Sequence, residues 1–327
     1  MHLHLNPTSV PFRQPVKPRI LVIRGGAIGD FILTLPAIHL LREAFPKAHL
    51  EILGYKHIVA LAEGRFYADA TRSIEYGPLA GFFTPRSELS PELIEYFTSF
   101  QQIVSYLYDP DGFFVANLRR AGVKNIIQAY RTVDDTEHAA RQLAAPLQQL
   151  ALYLDDHQSR VFPSEDDRLQ ANLLIKENDE SPMIAVHPGS GSPKKNWPLD
   201  RWAQLGRGLA EAFPSYRLLL ISGEADLPQC DYLSEAWGGI RLLLARELPL
   251  PHLAAVLEQC RLFLGHDSGI SHLAAAVGTP SLLLFGPTDA AIWGPSHSNA
   301  RILEAPEGDL EQLTVETVKA AAADLLA

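Results

Sequence analysis

Short apolar runs alternate with helical patterns along most of the chain. RILVIR at Arg19–Arg24 precedes apolar residues at helical spacing, and HLEIL follows at 49–53. This order predicts a strand, a helix and a parallel strand joined by a right-handed crossover. Pro36 lies inside the helical pattern, so either the regular helix starts near Thr34 or Pro36 kinks a longer one. Further apolar runs predict strands at 101–108 and 123–130.

A second series of apolar runs follows a charged and partly helical stretch at 155–181, which we interpret as the link between two domains. Turn residues bound each run, as in parallel strands that are covered on both faces. The predicted fold is therefore α/β, with two Rossmann-like domains built on parallel sheets. We place the domains at 1–165 and 166–327, with the last helix free to pack back on the first domain. The later strands are predicted at 183–187, 217–222, 240–245, 261–266 and 281–286.

Chemically distinctive residues follow the predicted strands. In sheets of this kind, ligands bind outside the carboxyl ends of the strands. Because these ends lie at one edge of a sheet, the pattern predicts one ligand cleft between the two domains. The segments concerned are GGAIGD, which ends at Asp30, HPGSG from His187, SGEAD with Glu224, HDSG from His266 and GPTD from Gly286.

Composition narrows the class of protein and of partner. The chain has 327 residues, of which 47% are hydrophobic and 20% charged, as in ordinary soluble globular proteins. A net charge of -10 argues against nucleic acid as the main partner. No run reaches the roughly 20 apolar residues of a membrane span, so any membrane contact is expected to be peripheral. Cys230 and Cys260 have no CxxC spacing and indicate buried, reduced thiols, which fits a cytoplasmic location. Residues 1–19 are expected to form a loose tail.

The glycine segment before Asp30 does not match a dinucleotide-binding fingerprint. Gly25, Gly26 and Gly29 permit tight turns, but their spacing differs from GxGxxG. A ribose-binding acid at the end of the second strand is also missing, because Glu51 lies inside that strand. Asp30 fits an N-cap of the following helix, and it also fits a base that accepts a proton from a bound hydroxyl.

The segment HPGSGSPKKNWP offers backbone amides and hydroxyls that could surround phosphate oxygens. Lys195 adds positive charge at the same place. A polar loop with solvated lysines fits the same composition. The candidate ligand-binding residues of this loop are Gly189, Ser190 and Ser192.

The segment HDSGISHLAAAVGTP is typical of a capped helix, with Asp267 or Ser268 at its start. The amides of Ser268 and Gly269 would make a natural diphosphate site at the helix N-terminus. His272 lies about one turn further on and either reaches the same anion or is a half-buried polar residue. Glu224, after an earlier strand, is either a surface acid or a partner of sugar hydroxyls.

Taken together, these segments resemble glycosyltransferase family 9, the ADP-heptose:lipopolysaccharide heptosyltransferase family. The blocks that carry the resemblance are ILVIRGGAIGDFILTLPAIHLLREAFPKAHLEIL, HPGSGSPKKNWP and GHDSGISHLAAAVGTPSLLLFGPTD, the last being the most specific. They span both domains, and only about 55–180 match weakly. One departure lies at Gly26-Ala27, where many heptosyltransferases have Ser-Ser, and it bears on donor and acceptor identity.

The resemblance implies a GT-B fold, with an acceptor-side first domain and a nucleotide-sugar-binding second domain. It implies inverting transfer without a metal or other cofactor, from a nucleotide-sugar donor to a glycan or glycolipid acceptor. Asp30 matches the proposed general base and Lys195 the lysine near the donor phosphates. The remaining matches are to donor-binding positions, with Glu224 at the nucleoside and Asp267, Ser268, Gly269 and His272 around the diphosphate and sugar.

The leading hypothesis is therefore an inverting transferase that uses ADP-heptose or a similar donor in lipopolysaccharide biosynthesis. It would work in the cytoplasm or peripherally at the inner face of the cytoplasmic membrane. A nucleotide-sugar 2-epimerase of the same architecture would need no acceptor. The alternative that is not an enzyme is a nucleotide-sugar-binding protein without catalytic activity. The presence of both Asp30 and Lys195 argues against it.

Overall fold

The computed structural model describes residues 17–176 and 179–327. Most of the expected amino-terminal tail therefore lies outside the described residues. The first sheet is parallel, with strand order β3-β2-β1-β4-β5. Its strands are β1 (Arg19–Arg24), β2 (His49–Gly54), β3 (Ala70–Ser73), β4 (Gln102–Ser105) and β5 (Ile126–Gln128).

The second sheet is also parallel, with strand order β11-β10-β9-β6-β7-β8. The prediction of two α/β units on parallel sheets is thus confirmed. Its strands are β6 (Met183–Val186), β7 (Arg217–Ser222), β8 (Leu242–Arg246), β9 (Leu262–His266), β10 (Ser281–Phe285) and β11 (Ala300–Glu304).

Helices cover both sheets and connect their strands. Those of the first half are α1 (Ile28–Ala44), α2 (Lys56–Val59), α3 (Pro91–Thr98), α4 (Phe113–Ala121) and α5 (Ala139–Ala144). Those of the second half are α6 (Glu165–Lys176), α7 (Leu199–Ala212), α8 (Leu227–Ala236), α9 (Leu250–Leu257), α10 (Gly269–Ala276), α11 (Ala290–Trp293) and α12 (Val315–Leu326).

The central strands are buried because helices cover both faces of each sheet. Every residue of β6, β7, β9 and β10 is buried, and β1 is buried except at its first residue. The side chains are mostly Leu, Ile, Val and Phe, as expected of such strands. Helices α1 and α10 pack against each other across the domain boundary, so the two domains meet through the helices that follow β1 and β9.

Two helices bear on the predicted domain limits. Helix α6 begins at Glu165 and packs against α9. It is also tied to the first domain by an ion pair between Arg65 and Asp167. The boundary at 165/166 stays a prediction. Helix α12 packs against α7, with Val318 in the core of the second domain, so the observed contacts of the last helix are within that domain.

Pro36 lies inside α1, which is continuous from Ile28 to Ala44. The alternative of a longer helix is therefore the one observed. Proline has no N–H to donate to the carbonyl four residues earlier, which belongs to Ile32. The hydroxyl of Ser159, from the segment before α6, donates to that carbonyl at 2.7 Å in a buried setting. A side chain from outside the helix thus replaces the missing backbone hydrogen bond.

Candidate active site

The carboxyl ends of four strands of the second sheet surround a pocket of about 320 Å³. Residues that follow β6, β7, β8 and β9 form its walls, and Ala27–Gly29 of the first domain close one side. Apolar side chains such as Leu248 and Leu253 form part of the lining. Four of the sequence-predicted site residues line this pocket: Ser190, Glu224, Ser268 and Gly269.

The loop after β6 is held in shape by its own polar groups. Oγ of Ser190 lies 2.8 Å from the carbonyl oxygen of Ser192 and 2.7 Å from the side-chain oxygen of Asn196, and its single proton can be donated to either of them. Ser192 contributes through this carbonyl and is not among the residues that line the pocket. Gly189, in the same loop, is buried, and a Cβ at this position would stand 1.9 Å from Oδ1 of Asp226.

Asp226 and His187 form a buried pair that the sequence reasoning missed. Nε2 of His187 lies 3.1 Å from Oδ2 of Asp226, and both residues line the pocket. Burial alone would raise the pKa of the Asp226 carboxyl, but the hydrogen bond and charge of His187 outweigh it and lower the pKa. The one available signal was the histidine that opens HPGSG, because its partner lies 39 residues away.

His266, at the end of β9, supports the loop from below. Its Nε2 accepts hydrogen bonds from the backbone N–H of Trp197 at 2.8 Å and from Nε1 of Trp202 at 3.3 Å. Burial lowers the pKa of His266 to about 3, so the ring is neutral at pH 7. Trp197 is 1% exposed and its indole N–H donates to the carbonyl of Leu313, so it packs in the core.

Five of the predicted residues lie in or beside the first turn of α10: Lys195, Asp267, Ser268, Gly269 and His272. Ser268 is the N-cap, and its hydroxyl accepts from the N–H of Ser271 at 3.3 Å. Beside it, Nζ of Lys195 lies 2.6 Å from Oδ2 of Asp267. His272 is 6% exposed, and burial lowers its pKa to about 4 in spite of the nearby Asp267 carboxylate. The N-terminus of α10 therefore lines the pocket through Ser268 and Gly269, whereas Lys195, Asp267 and His272 lie next to these residues and are not part of the lining.

Asp30 lies in the first turn of α1, at the third position of the helix. Ala27 is the N-cap residue, and it has no side-chain acceptor. The prediction that Asp30 itself is the N-cap is therefore wrong by three positions. Its carboxylate still satisfies a free amide of the helix start, because Oδ2 accepts from the N–H of Ala27 at 2.9 Å. The other oxygen, Oδ1, lies 3.4 Å from Nη2 of Arg24, and 42% of the Asp30 side chain remains exposed.

Arg24 is the buried support of this first turn. Its guanidinium donates to the backbone carbonyl of Asp30 at 3.1 Å and to the hydroxyl of Thr34 at 2.9 Å. Burial lowers the pKa of Arg24, and the carboxylate of Asp30 partly offsets that effect. Arg24 thus contacts both the backbone carbonyl and the side-chain carboxylate of Asp30.

The two domains touch at their glycines. A Cβ placed on Gly269 would stand 2.7 Å from the Cβ of Ile28 and 2.8 Å from the backbone nitrogen of Gly29. A Cβ placed on Gly29 would meet Gly269 and His272 only at 3.6 Å. Only glycine permits this approach at Gly269. The starts of α1 and α10 therefore face each other, with Asp30 one residue beyond the contact.

A second pocket, of about 670 Å³, lies on the other side of Asp30. All five strands of the first sheet contribute residues from beyond their carboxyl ends, and Trp293 of α11 reaches it from the second domain. The prediction of a cleft between the domains thus corresponds to two pockets that meet at Gly25–Asp30. The strand-following residues are Gly25 after β1, Tyr55 after β2, Ile74 after β3, Tyr106 after β4 and Tyr130 after β5.

Within residues 17–176 and 179–327, no group of three or more His, Cys, Asp or Glu residues is arranged to hold a metal ion. No helix in the same part of the chain has the length and apolar character needed to cross a bilayer. The described cysteines, Cys230 and Cys260, are free and buried, as the sequence indicated.

Comparison with known proteins gives one family and one architecture. The family model for glycosyltransferase family 9 (heptosyltransferase) matches residues 100–321. Lipopolysaccharide heptosyltransferase 3 of Escherichia coli is 24% identical over 304 residues, which cover 83% of this chain and 84% of the relative. Lipopolysaccharide heptosyltransferase 1 of Escherichia coli O18:K1:H7 is 31% identical over 126 residues, but this match spans only 38% of this chain and 37% of the relative.

Solved structures share the fold over nearly the whole chain. A glycosyltransferase of family 9 from Veillonella parvula superposes with a TM-score of 0.77 at 22% identity, covering 94% of this chain and 97% of the other. The ADP-heptose lipopolysaccharide heptosyltransferase II of Escherichia coli gives a TM-score of 0.74 at 20% identity, and the superposition covers 94% of this chain and 98% of the other. The predicted GT-B architecture, two facing Rossmann-like domains, is confirmed.

Proposed function

Because the chain belongs to glycosyltransferase family 9, we propose that it transfers a sugar from a nucleoside diphosphate to a hydroxyl of a glycan. The family is one of glycosyltransferases, and a solved neighbour is named for ADP-heptose. ADP-heptose is therefore the proposed donor, and a saccharide of the lipopolysaccharide core or a related glycan is the proposed acceptor. The observation that carries the proposal is the position of Asp30 between two pockets on facing sheets.

The smaller pocket suits a nucleoside diphosphate. Its apolar wall near Leu248 and Leu253 can cover a base, and Glu224 at the opening can accept hydrogen bonds from ribose hydroxyls. The diphosphate would lie at the N-terminus of α10, where free amides and the helix dipole favour negative charge. Lys195 is 2.6 Å from Asp267, and it would exchange part of that ion pair for a phosphate oxygen.

The proposed reaction inverts the configuration of the transferred sugar. The acceptor oxygen, lying in the larger pocket, attacks the anomeric carbon while the bond from that carbon to the diphosphate oxygen breaks. The carboxylate of Asp30 takes the proton of the acceptor hydroxyl, and the departing oxygen keeps the bonding electrons. Charge that develops on the diphosphate is stabilised by the amides of Ser268 and Gly269 and by Lys195. In this proposal these groups do the work that a metal ion does in other transferases.

Replacement of Asp30 by asparagine tests the proposed base. Asparagine keeps an oxygen that can accept from the N–H of Ala27, so the helix start is preserved while the base is lost. We expect the rate of ADP release in the presence of donor and acceptor to fall by about 10²- to 10⁴-fold. The affinity for ADP, measured by calorimetry, is expected to stay within about twofold of the parent, because Asp30 does not line the donor pocket.

Asp109→Asn provides a matched control. Asp109 also lies beyond a strand end of the first sheet, and its carboxylate accepts from the N–H groups of Phe114 and Val115 at the start of α4. This variant is expected to keep full activity. Equal activity of Asp30→Asn and the parent would refute the assignment of the base.

Nucleotide selectivity tests the donor. We expect ADP to bind more tightly than UDP, GDP or NAD. Preference for UDP or GDP would remove the ADP-heptose assignment and leave the transferase proposal standing. Altered sugar nucleotide formed without acceptor would indicate a 2-epimerase, and binding without any turnover would indicate a binding protein. The location in the cytoplasm, with peripheral contact to the membrane, stays a prediction that cell fractionation can test.

A further inference from the structure

The pocket of about 670 Å³ has an unusually aromatic lining. Six of its 17 lining residues are aromatic, whereas aromatic residues make up 9% of the chain. Several of these rings are exposed although they are large and apolar. Such rings cost stability when they face water, so an array of them at one site indicates a ligand. The six are Tyr55, Phe83, Tyr106, Tyr108, Tyr130 and Trp293.

Two of the tyrosines form an exposed pair. The rings of Tyr108 and Tyr130 lie 5.1 Å apart between centroids at an angle of 53°. Tyr108 is 68% exposed and Tyr130 is 43% exposed. Tyr108 lies three residues beyond the end of β4 and Tyr130 lies two residues beyond the end of the adjacent strand β5. Their rings offer flat apolar surface, and their hydroxyls offer polar groups beside it.

The charges at this pocket cancel. Its four charged lining residues are two arginines and two acids. Arg24 is buried, with Oδ1 of Asp30 at 3.4 Å from its Nη2. Arg131 lies 3.8 Å from Oδ2 of Asp134, and Glu75 at the rim adds negative charge. Each arginine of this lining thus has a carboxylate within 4 Å, and this arrangement favours an anionic ligand less than an unopposed arginine would.

Tyr106 adds a polar group inside the pocket. It is 2% exposed, and its hydroxyl has no hydrogen-bond partner within 17–176 and 179–327. Burial raises the pKa of Tyr106 well above its usual value, so the hydroxyl stays protonated and can donate. A buried polar group without a partner costs free energy unless a ligand supplies one.

We propose that this pocket binds the acceptor through an uncharged sugar ring that packs against Tyr108 and Tyr130, with one hydroxyl of the acceptor bonded to Tyr106. The inference rests on the proposed function, which makes this pocket the acceptor site. It narrows the acceptor to a glycan whose residues at the reacting end are neutral. A pyranose ring fits this surface because its C–H groups form an apolar face and its hydroxyls lie around the rim.

Binding of matched saccharides tests the inference without any donor. The probes are neutral methyl disaccharides of heptose or hexose, and the same disaccharides carrying one carboxylate or one phosphate. Calorimetry is expected to give neutral members an affinity at least about 10-fold higher than their charged counterparts. The affinity for the neutral members is expected to be unchanged between low and high salt, because no net charge pairs with the ligand. Tighter binding of the charged members, or no binding of any neutral member, would overturn the inference.

Variants of the aromatic residues locate the binding surface. Tyr108→Ala and Tyr130→Ala are each expected to weaken binding of the neutral probe by about 10-fold or more, since apolar contact area is lost. The matching phenylalanine variants are expected to stay within about twofold. Tyr106→Phe is expected to weaken binding about 3- to 10-fold, through one lost hydrogen bond. Tyr153→Ala, which removes a 64% exposed tyrosine outside the pocket, is the control. Equal binding by the Tyr108, Tyr130 and Tyr153 variants would refute the assignment of the surface.

The test separates this inference from the proposed function. Loss of ADP affinity or of all transfer in the parent protein would reject the transferase proposal, while probe binding would still decide the character of the pocket. An octyl glycoside that binds much more tightly than the methyl glycoside of the same sugar would assign the aromatic rings to a lipid chain instead. That result would also overturn the inference.

Discussion

At Gly189, a hydrogen atom in place of a side chain determines how the loop after β6 can pack. Its α-carbon lies so close to Asp226 that a Cβ would come within 1.9 Å of the carboxylate. The neighbouring Gly191 has nothing within 4 Å of the same position. Close packing therefore requires glycine at position 189, where it permits the pair of Asp226 with His187. Neither a close contact nor a positive φ requires glycine at position 191.

Alanine at each of these two positions gives a direct comparison. Gly189→Ala is expected to push Asp226 away from His187 and to lower the free energy of unfolding by about 1–3 kcal/mol, as for other disrupted buried polar pairs. ADP affinity should fall with it, because Asp226 and His187 line the donor pocket. Gly191→Ala should leave the free energy of unfolding near that of the parent, because a Cβ there meets no other atom within 4 Å, and it should reduce ADP affinity less than Gly189→Ala, although Gly191 also lines the pocket. Urea unfolding and calorimetry provide the two measurements, and equal behaviour of the variants would contradict this account of the loop.

His266 makes stability depend on pH. Its folded-state pKa is about 3, against an ordinary value of 6.5. Since the folded-state pKa is depressed, the unfolded chain takes up a proton first, and stability is lost as the pH falls from about 6.5 toward 3. This residue alone should lower the free energy of unfolding by roughly 2 kcal/mol between pH 7 and pH 5.

His266→Gln isolates that contribution. Glutamine does not titrate, and its oxygen can accept from the N–H of Trp197 as Nε2 does. The loss of stability between pH 7 and pH 5 should therefore be about 2 kcal/mol smaller in the variant than in the parent. Denaturant titrations at the two pH values provide the measurement. Identical pH dependence in both proteins would show that folding does not lower the pKa of His266.

At the level of elements, the strands with apolar runs were predictable, including the edge strands β5 and β8, whereas the edge strands β3 and β11 were not. β3 has the sequence ATRS and β11 has ARILE, and none of their residues is buried. They lack an apolar run because they cover less of the core. The paired site groups were also beyond sequence reasoning, since Lys195 and Asp267 are 72 residues apart and Asp226 and His187 are 39 apart. Strand ends could still be predicted to carry the site, because parallel topology brings them to one edge.

Helix α1 shows a second limit of local patterns. Proline in a helix interior normally costs about 3 kcal/mol. Here the hydroxyl of Ser159 donates to the Ile32 carbonyl that Pro36 leaves without a backbone donor. This partner lies 127 residues away in sequence, so no local pattern could predict it. The continuous helix depends on a contact from the segment that leads into the second domain.

A double-mutant cycle tests this compensation. Ser159→Ala should lower the free energy of unfolding by about 1–3 kcal/mol, because a buried carbonyl loses its donor. In a Pro36→Ala background the alanine N–H can bond to Ile32, so the same Ser159→Ala change should cost much less. The coupling free energy is read from urea unfolding of the four proteins. Strict additivity would show that Ser159 does not replace the missing bond.

At the level of the whole molecule, the two domains are in contact at Gly29 and Gly269. The contact is asymmetric, because a Cβ on Gly269 would stand 2.8 Å from backbone while a Cβ on Gly29 would find ordinary distances of 3.6 Å. A backbone atom cannot move aside as a flexible side chain can. The distance between the two domains is therefore set at Gly269.

Alanine at these positions separates domain contact from side-chain chemistry. Gly269→Ala should force the starts of α1 and α10 apart and lower the transfer rate by at least about 10-fold, since small misplacements of reacting groups are costly. Gly29→Ala adds the same methyl group on the other side of the contact at ordinary distances and should lower the rate less than Gly269→Ala, although Gly29 also lines the smaller pocket. Single-turnover transfer with saturating donor provides the measurement. A Gly269→Ala protein with parental rates would indicate that the domains do not need this approach.

The segment Gly25–Asp30 borders both pockets, with Ala27–Gly29 on the donor side and Gly25, Gly26 and Asp30 on the acceptor side. These six consecutive residues form a stretch of backbone that both proposed ligands would contact. A change in backbone position that binding of one ligand favours would therefore also change the site of the other ligand. By thermodynamic reciprocity, a donor that improves acceptor affinity by some factor must have its own affinity improved by the acceptor by the same factor. This short segment would then couple the binding of the two proposed substrates. The order in which they bind would change the kinetics of complex formation but not the final equilibrium.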